Sequence, residues 1–113
     1  MDKKIAYNDI GAVVATCYAQ GTIYPGQVVK MVDDSTVAAC ADGEKFCGVA
    51  LAPRGGLVPV QFKGFANVGY SVDIAMGWNT VVADQYGGIT PNENGIPVLV
   101  VSIHGNGSVD ICL

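Results

Sequence analysis

Phe46-Cys-Gly-Val-Ala-Leu-Ala-Pro-Arg-Gly-Gly-Leu-Val-Pro-Val-Gln-Phe-Lys-Gly-Phe-Ala-Asn-Val-Gly-Tyr70 reads as two apolar strands, a glycine-marked bend and a third strand. A period of two puts Cys47, Val49 and Leu51 on one face of the first strand and Val58, Val60 and Phe62 on one face of the second. Ala52-Pro53-Arg54-Gly55-Gly56 between them is turn chemistry, so the two runs pair as a hairpin. Gly64 then lets the chain bend at a barrel corner before Phe65 to Tyr70 continues as strand. Nothing in this stretch is chemically reactive. It reads as the wall of a small β-barrel.

The segments upstream have the same grain. Gly11 to Ala19 sets Val13, Ala15 and Cys17 against Ala12, Val14, Thr16 and Tyr18, a strand apolar on both sides that needs burial on both or an interface on one. Pro25-Gly26 occupies the centre of a type II turn and delivers the chain into Gln27 to Val32. Asp33-Asp34-Ser35 turns that strand into Thr36 to Cys40, and Asp42-Gly43 leads into the opening stretch. Downstream, Ser71 to Gly77 has no amphipathic stripe and reads as irregular. Trp78 to Asp84 is a strand, Tyr86-Gly87-Gly88 a turn, and Thr90 to Gly95 an exposed loop. In the last hairpin Leu99, Val101 and Ile103 alternate against Val109, Ile111 and Leu113 across Gly105-Asn106-Gly107, with Asn-Gly suited to a type I′ turn. Turns recur about every eight to twelve residues, which predicts an all-β, single-domain β-barrel of about eight to ten short, mainly antiparallel strands. That domain spans residues 11–113 behind an N-terminal arm of residues 1–10.

Composition narrows the function. Of 113 residues 50% are hydrophobic and only 14% charged, against a usual charged share of about 25%. One small domain cannot hide that much apolar surface, which points to oligomerisation or docking onto a large partner. A net charge of −4 with 6 Lys and Arg gives no footprint for nucleic acid. No apolar run is long enough for a membrane span, and the N-terminus lacks a signal-peptide core, so the expected site of synthesis is a cytoplasm. There the four cysteines, Cys17, Cys40, Cys47 and Cys112, are expected as reduced, buried thiols.

The chemical motifs are weak. Cys40 and Cys47 are too far apart for a zinc knuckle and there is one His, so no metal is expected. A Cys40–Cys47 disulfide across the Asp42-Gly43 turn is the minority alternative to free thiols. His104, the only conventional general base, has Asp110 and Ser102 or Ser108 near it in sequence but no triad motif around it. Gly105-Asn106-Gly107-Ser108 lacks the third glycine and the helix of a phosphate loop. The carboxylates Asp33, Asp34, Asp42, Glu44, Asp73, Asp84 and Glu93 are scattered over turns and match no calcium loop. No catalytic residue, cofactor or metal site is assigned.

The succession of motifs carries more than any one of them. Pro25-Gly-Gln-Val-Val29 is followed by Phe46-Cys-Gly-Val-Ala-Leu-Ala52 and Val58-Pro-Val-Gln-Phe-Lys-Gly64. Next come Gly77-Trp-Asn-Thr-Val-Val-Ala-Asp84 and Pro97-Val-Leu-Val-Val-Ser-Ile103. From about Gly11 to Leu113 this order resembles the capsid decoration, or head cement, proteins of tailed bacteriophages and prophages. The resemblance implies a non-enzymatic structural β-barrel, commonly a homotrimer, that binds the outside of an assembled head and braces the major capsid protein lattice on the virion. On that reading Lys3, Lys4, Ile5 and Tyr7 of the arm are expected to touch the capsid, since Ile5 and Tyr7 face one way in an extended chain. The alternative is a β-barrel carbohydrate-binding module with Trp78, Tyr86 and Tyr24 as stacking platforms.

Overall fold

The computed structural model describes residues 11–113, and the proposed arm contacts Lys3, Lys4, Ile5 and Tyr7 lie outside them. The described chain forms ten strands: β1 (Val13–Gln20), β2 (Val28–Asp33), β3 (Thr36–Ala39), β4 (Gly48–Ala50), β5 (Leu57–Lys63), β6 (Phe65–Gly69), β7 (Gly77–Ala83), β8 (Ile89–Pro91), β9 (Ile96–Ile103) and β10 (Ser108–Cys112). The all-β expectation therefore holds, and the strands divide into two sheets. One is a closed barrel in the order β1-β3-β2-β4-β5, and the other a five-stranded sheet in the order β6-β10-β9-β7-β8.

The Phe46 to Tyr70 stretch supplies strands to both. β4 and β5 pair antiparallel in the barrel, with Val49 opposite Gln61 and Ala50 opposite Val60. Gly55 and Gly56 at φ 57° and 82° form the turn, closed by the Arg54 amide donating to the Leu57 carbonyl at 2.7 Å. At Gly64, φ 97° is a value that a side chain would oppose, and the chain leaves the barrel there. Buried Gln61 fixes that corner, its Nε2 donating to the carbonyls of Lys63 at 3.1 Å and Phe65 at 2.7 Å. β6 then joins the second sheet against β10.

Two cores follow from this division. Cys17, Ile23, Val29, Val37, Ala50, Val58 and Val60 fill the barrel. Val68, Val81, Ile89, Val98, Val100, Val109 and Ile111 line the inner face of the second sheet and meet Val28, Phe46 and Val49 from the barrel wall. The start of β2 and all of β4 are thus buried on both faces: Val28 and Val49 serve one core, Val29 and Ala50 the other, while Met31 and Val32 further along β2 are exposed. That shared wall explains why these segments show continuous apolar runs and no strict alternation. It also explains Gly48, where a Cβ would lie 2.6 Å from the Gln61 carbonyl oxygen.

Several expectations need correction. Cys47 does not share a face with Val49, because the strand begins only at Gly48 and the Cys47 side chain packs on the barrel core; Leu51, beyond the strand, is exposed. In the Thr90 to Gly95 loop, residues through Pro91 belong to β8, an edge strand whose ladder runs to β7, with a single bridge from Ile89 to Tyr70 on its other side. Proline is tolerated there because an edge strand has one side without a ladder. In the last hairpin Val98 and Val100, not Leu99 and Val101, face the core with Val109 and Ile111, and a bulge between Asp110 and Ile111 shifts the register. The turn is also not type I′. Only Gly107 has positive φ, 86°, and the His104 amide donates to the Ser108 carbonyl at 2.9 Å, a three-residue loop with a left-handed residue at its end. Finally, β1 is apolar on both sides without being buried on both, since only Cys17 in it is buried.

β1 also makes the one parallel pairing among the described strands. Tyr18, Ala19 and Gln20 pair with Thr36, Val37 and Ala38 of β3, while Val13 to Tyr18 pair with β5 on the other side. The barrel closes at the C-terminal half of β1. Its N-terminal half, Val13 to Cys17, has no ladder partner on the β3 side among the described residues.

Candidate functional site

The fold keeps the Cys40 and Cys47 thiols apart. All four are free. Cys40 packs on the intersheet core and Cys47 on the barrel core. β2 runs between them, for the Cys40 amide donates to the Val28 carbonyl on one side and the Cys47 amide to the Val29 carbonyl on the other. Two strand spacings separate the pair, about 9–10 Å, more than a disulfide spans. Burial pushes the Cys40 thiol up to about 11, with the Glu44 carboxylate adding to it, and burial also raises Cys47. From the ordinary 9.0 to about 11, the thiolate fraction at neutral pH falls about a hundredfold. Alkylation of Cys40 by iodoacetamide at pH 8, followed by peptide mass spectrometry, is therefore expected to be slower by roughly that factor in the folded chain than in denaturant. Because the folded thiol keeps its proton to higher pH than the unfolded one, stability falls as pH rises through the window between 9.0 and about 11. Among the described residues no three Cys, His, Asp or Glu side chains converge to hold a metal.

His104 and Asp110, near in sequence, are brought together in space. The hairpin places His104 Nε2 2.9 Å from Asp110 Oδ2, and Asn67 of β6 donates from Nδ2 to Asp110 Oδ1 at 2.9 Å. The resemblance to an acid–base dyad stops there. The Ser108 hydroxyl donates to Asn106 Oδ1 at 2.7 Å, and no serine hydroxyl among the described residues bonds to the imidazole. The cluster ties the β9–β10 turn to β6. Asn67 carried no sequence signal, since its role comes from the β6–β10 pairing.

The three candidate platform rings are all exposed, Tyr24 by 62%, Trp78 by 74% and Tyr86 by 75%. The fold sorts them. Tyr24 and Tyr86 border one open groove of about 420 Å³, whereas Trp78 lies at a separate depression with Thr80, Pro91 and Glu93. Tyr24 sits on the Pro25-Gly26 turn, held by its amide donating to Gln27 Oε1 at 2.9 Å and by the Gln27 amide donating to its carbonyl at 3.2 Å. Tyr86 sits on a turn organised by Asp84, which is only 4% exposed. Asp84 Oδ1 accepts from the Tyr86 amide at 2.8 Å and the Gly88 amide at 2.9 Å. The Val28 amide, donating to the Gly87 carbonyl at 3.0 Å, joins the two turns. Sequence reading placed Asp84 among the solvated turn carboxylates. The signal available in the sequence is an Asp two residues before Tyr86, the spacing of an Asx turn around Gln85 that leads into Gly87-Gly88.

Trp78 belongs to a different feature. On the face of the second sheet turned away from the core, the registers Trp78–Leu99, Leu99–Cys112 and Cys112–Phe65 align an apolar row across β7, β9, β10 and β6. On the barrel, Val13, Val14, Tyr18 and Leu57 are exposed around the open half of β1. The surface thus carries apolar side chains in two regions, the barrel patch exposed and the sheet row exposed at Trp78 and half-buried at Leu99, Cys112 and Phe65. Compared with known proteins, the chain matches no family model, no curated protein and no solved structure.

Proposed function

We propose that the chain is a structural virion protein that binds the outer surface of a phage or prophage head and stabilises its lattice, acting as a homotrimer and without catalysis. The observation that carries the reading is the quantity of exposed apolar surface: thirteen large hydrophobic side chains among the described residues, from Val13 to Ile103, are exposed on a chain with 14% charged residues. Surface of that kind is covered by other chains in the working protein. The order of strand and turn motifs, similar to that of head decoration proteins, gives those chains an identity: sister subunits and the major capsid protein.

The open half of β1 supports the assignment of the arm. Residues 1–10, which carry Lys3, Lys4, Ile5 and Tyr7, join the domain just ahead of Val13 and Val14, at an edge of β1 that pairs with nothing on the β3 side among the described residues and whose apolar side chains are exposed. A repeated lattice multiplies such modest contacts into avidity. Deletion of residues 1–8 is expected to weaken co-sedimentation with heads at least tenfold while leaving the thermal transition of the 11–113 domain in place. Undiminished binding would remove the arm from the capsid contact.

A further inference from the structure

We propose that the groove between Tyr24 and Tyr86 is a binding site for neutral oligosaccharides. This inference does not rest on the capsid reading: Tyr24 and Tyr86 are two of the thirteen exposed side chains counted above, and for these two the ligand is of a different class.

The two rings are the largest exposed aromatics on the groove, and neither phenol hydroxyl has a hydrogen-bond partner among the described residues. Both stand on rigid turns, one fastened by Gln27 and the other by Asp84, and the Val28–Gly87 hydrogen bond fixes one turn against the other. Exposed aromatic rings held in place before a ligand arrives offer an apolar face at little entropic cost. Between them the floor is glycine and amide: Gly87 and Gly88, with Gln27 and Asn67 at the sides. Asn67 donates from Nδ2 to Asp110, which leaves its Oδ1, without a partner among the described residues, to accept from a ligand hydroxyl. A pyranose ring presents the matching chemistry, C–H groups on its faces and hydroxyls at its rim.

Shape and charge narrow the ligand further. The groove shares Pro25, Gly26 and Asn67 with a neighbouring hollow of about 330 Å³, and Gly69, Tyr86 and Gly88 with another of about 250 Å³. Adjacent hollows on both sides suit several linked sugars better than one. No Lys or Arg lines any of the three, and Asp84 borders the last, so phosphorylated and uronic-acid glycans are disfavoured. A proline-rich peptide also docks on aromatic grooves, but it needs apolar slots between the rings, and Pro25 is the only aliphatic side chain in the central groove.

The test is a titration of the ¹⁵N-labelled full chain with maltoheptaose, cellohexaose and chitohexaose, and separately with a proline-rich decapeptide, read as amide shift changes. At least one neutral glycan is expected to move the amides of Tyr24, Gly26 and Gln27, of residues 67–69 and of residues 86–88 together. Tyr24→Ala and Tyr86→Ala should each weaken that binding at least tenfold, and Trp78→Ala should leave it unchanged. Both rings are exposed, and preserved shift dispersion establishes that the variants fold. The proposal is overturned if no glycan in the panel shifts these amides at millimolar concentration. It is equally overturned if binding survives the Tyr24→Ala/Tyr86→Ala double variant, or if only the peptide binds.

Discussion

A chain ending at Val109 is expected to show no cooperative thermal transition. Asp110 to Leu113 lie at the very end of the sequence, where deletions are ordinarily cheap. Here they form most of β10, which is paired on both sides, to β6 through Asp110–Asn67, Ile111–Ala66 and Cys112–Phe65 and to β9 through Asp110–Ser102, Ile111–Val100 and Cys112–Leu99. Ile111 is fully buried in the intersheet core, and Leu113 packs on it while donating its amide to the Gly64 carbonyl at 2.9 Å. Removing the Ile111 side chain alone would cost about 2–5 kcal/mol. Removing the strand also strips β6 and β9 of ladder partners, each unpaired buried group costing about 1–3 kcal/mol. Together these losses are comparable with the roughly 5–15 kcal/mol that holds a domain together. Circular dichroism on heating decides it. A transition within a few degrees of the full chain would mean that β10 is dispensable.

The second large effect comes from one methyl group. Gly88→Ala is expected to destabilise the fold by about 3 kcal/mol, at the top of the usual overpacking range, and to lower Tm by roughly 12–24 °C. A Cβ at position 88 would overlap the Gly69 carbonyl and come 3.2 Å from Asp84 Oδ2. The first obstacle is backbone, which cannot rotate aside. The site lies at the seam where the second sheet nearly meets itself, through the Tyr70–Ile89 bridge, so separating the strands there also disturbs Ile89 in the core. Gly105→Ala, where a Cβ meets nothing within 4 Å, is the control and should move Tm by no more than a few degrees. Equal shifts in the two variants would contradict the close approach at Gly88.

Local chemistry made most strands and turns readable before any coordinates. Pro25-Gly26, Asp42-Gly43 and Gly55-Gly56 form turns because their glycines take positive φ, and Val58, Val60 and Phe62 share a face because a strand repeats every two residues. The division into two sheets was not readable. It depends on Gly64 turning the chain out of the barrel and on β1 pairing in parallel with β3, contacts between segments distant in sequence. The wrong face for Leu99 and Val101 has the same origin: a bulge opposite Asp110 shifts the alternation, and nothing in the local pattern announces it. Among site residues, Tyr24 and Tyr86 were visible as aromatics, but their shared groove and its separation from Trp78 arise from the Val28–Gly87 contact. Asn67 and Asp84 look like ordinary polar residues until pairing and burial give them partners.

Co-sedimentation measures most directly whether this barrel coats a phage head, as we propose. The purified chain is mixed with mature heads assembled from the major capsid protein of a tailed phage or prophage, and the bound fraction is followed to saturation. The account predicts saturable binding at a fixed number of copies per capsid subunit, with heads that then resist heat disruption to higher temperature. A chain that stays in the supernatant at every concentration, leaving head stability unchanged, would contradict it.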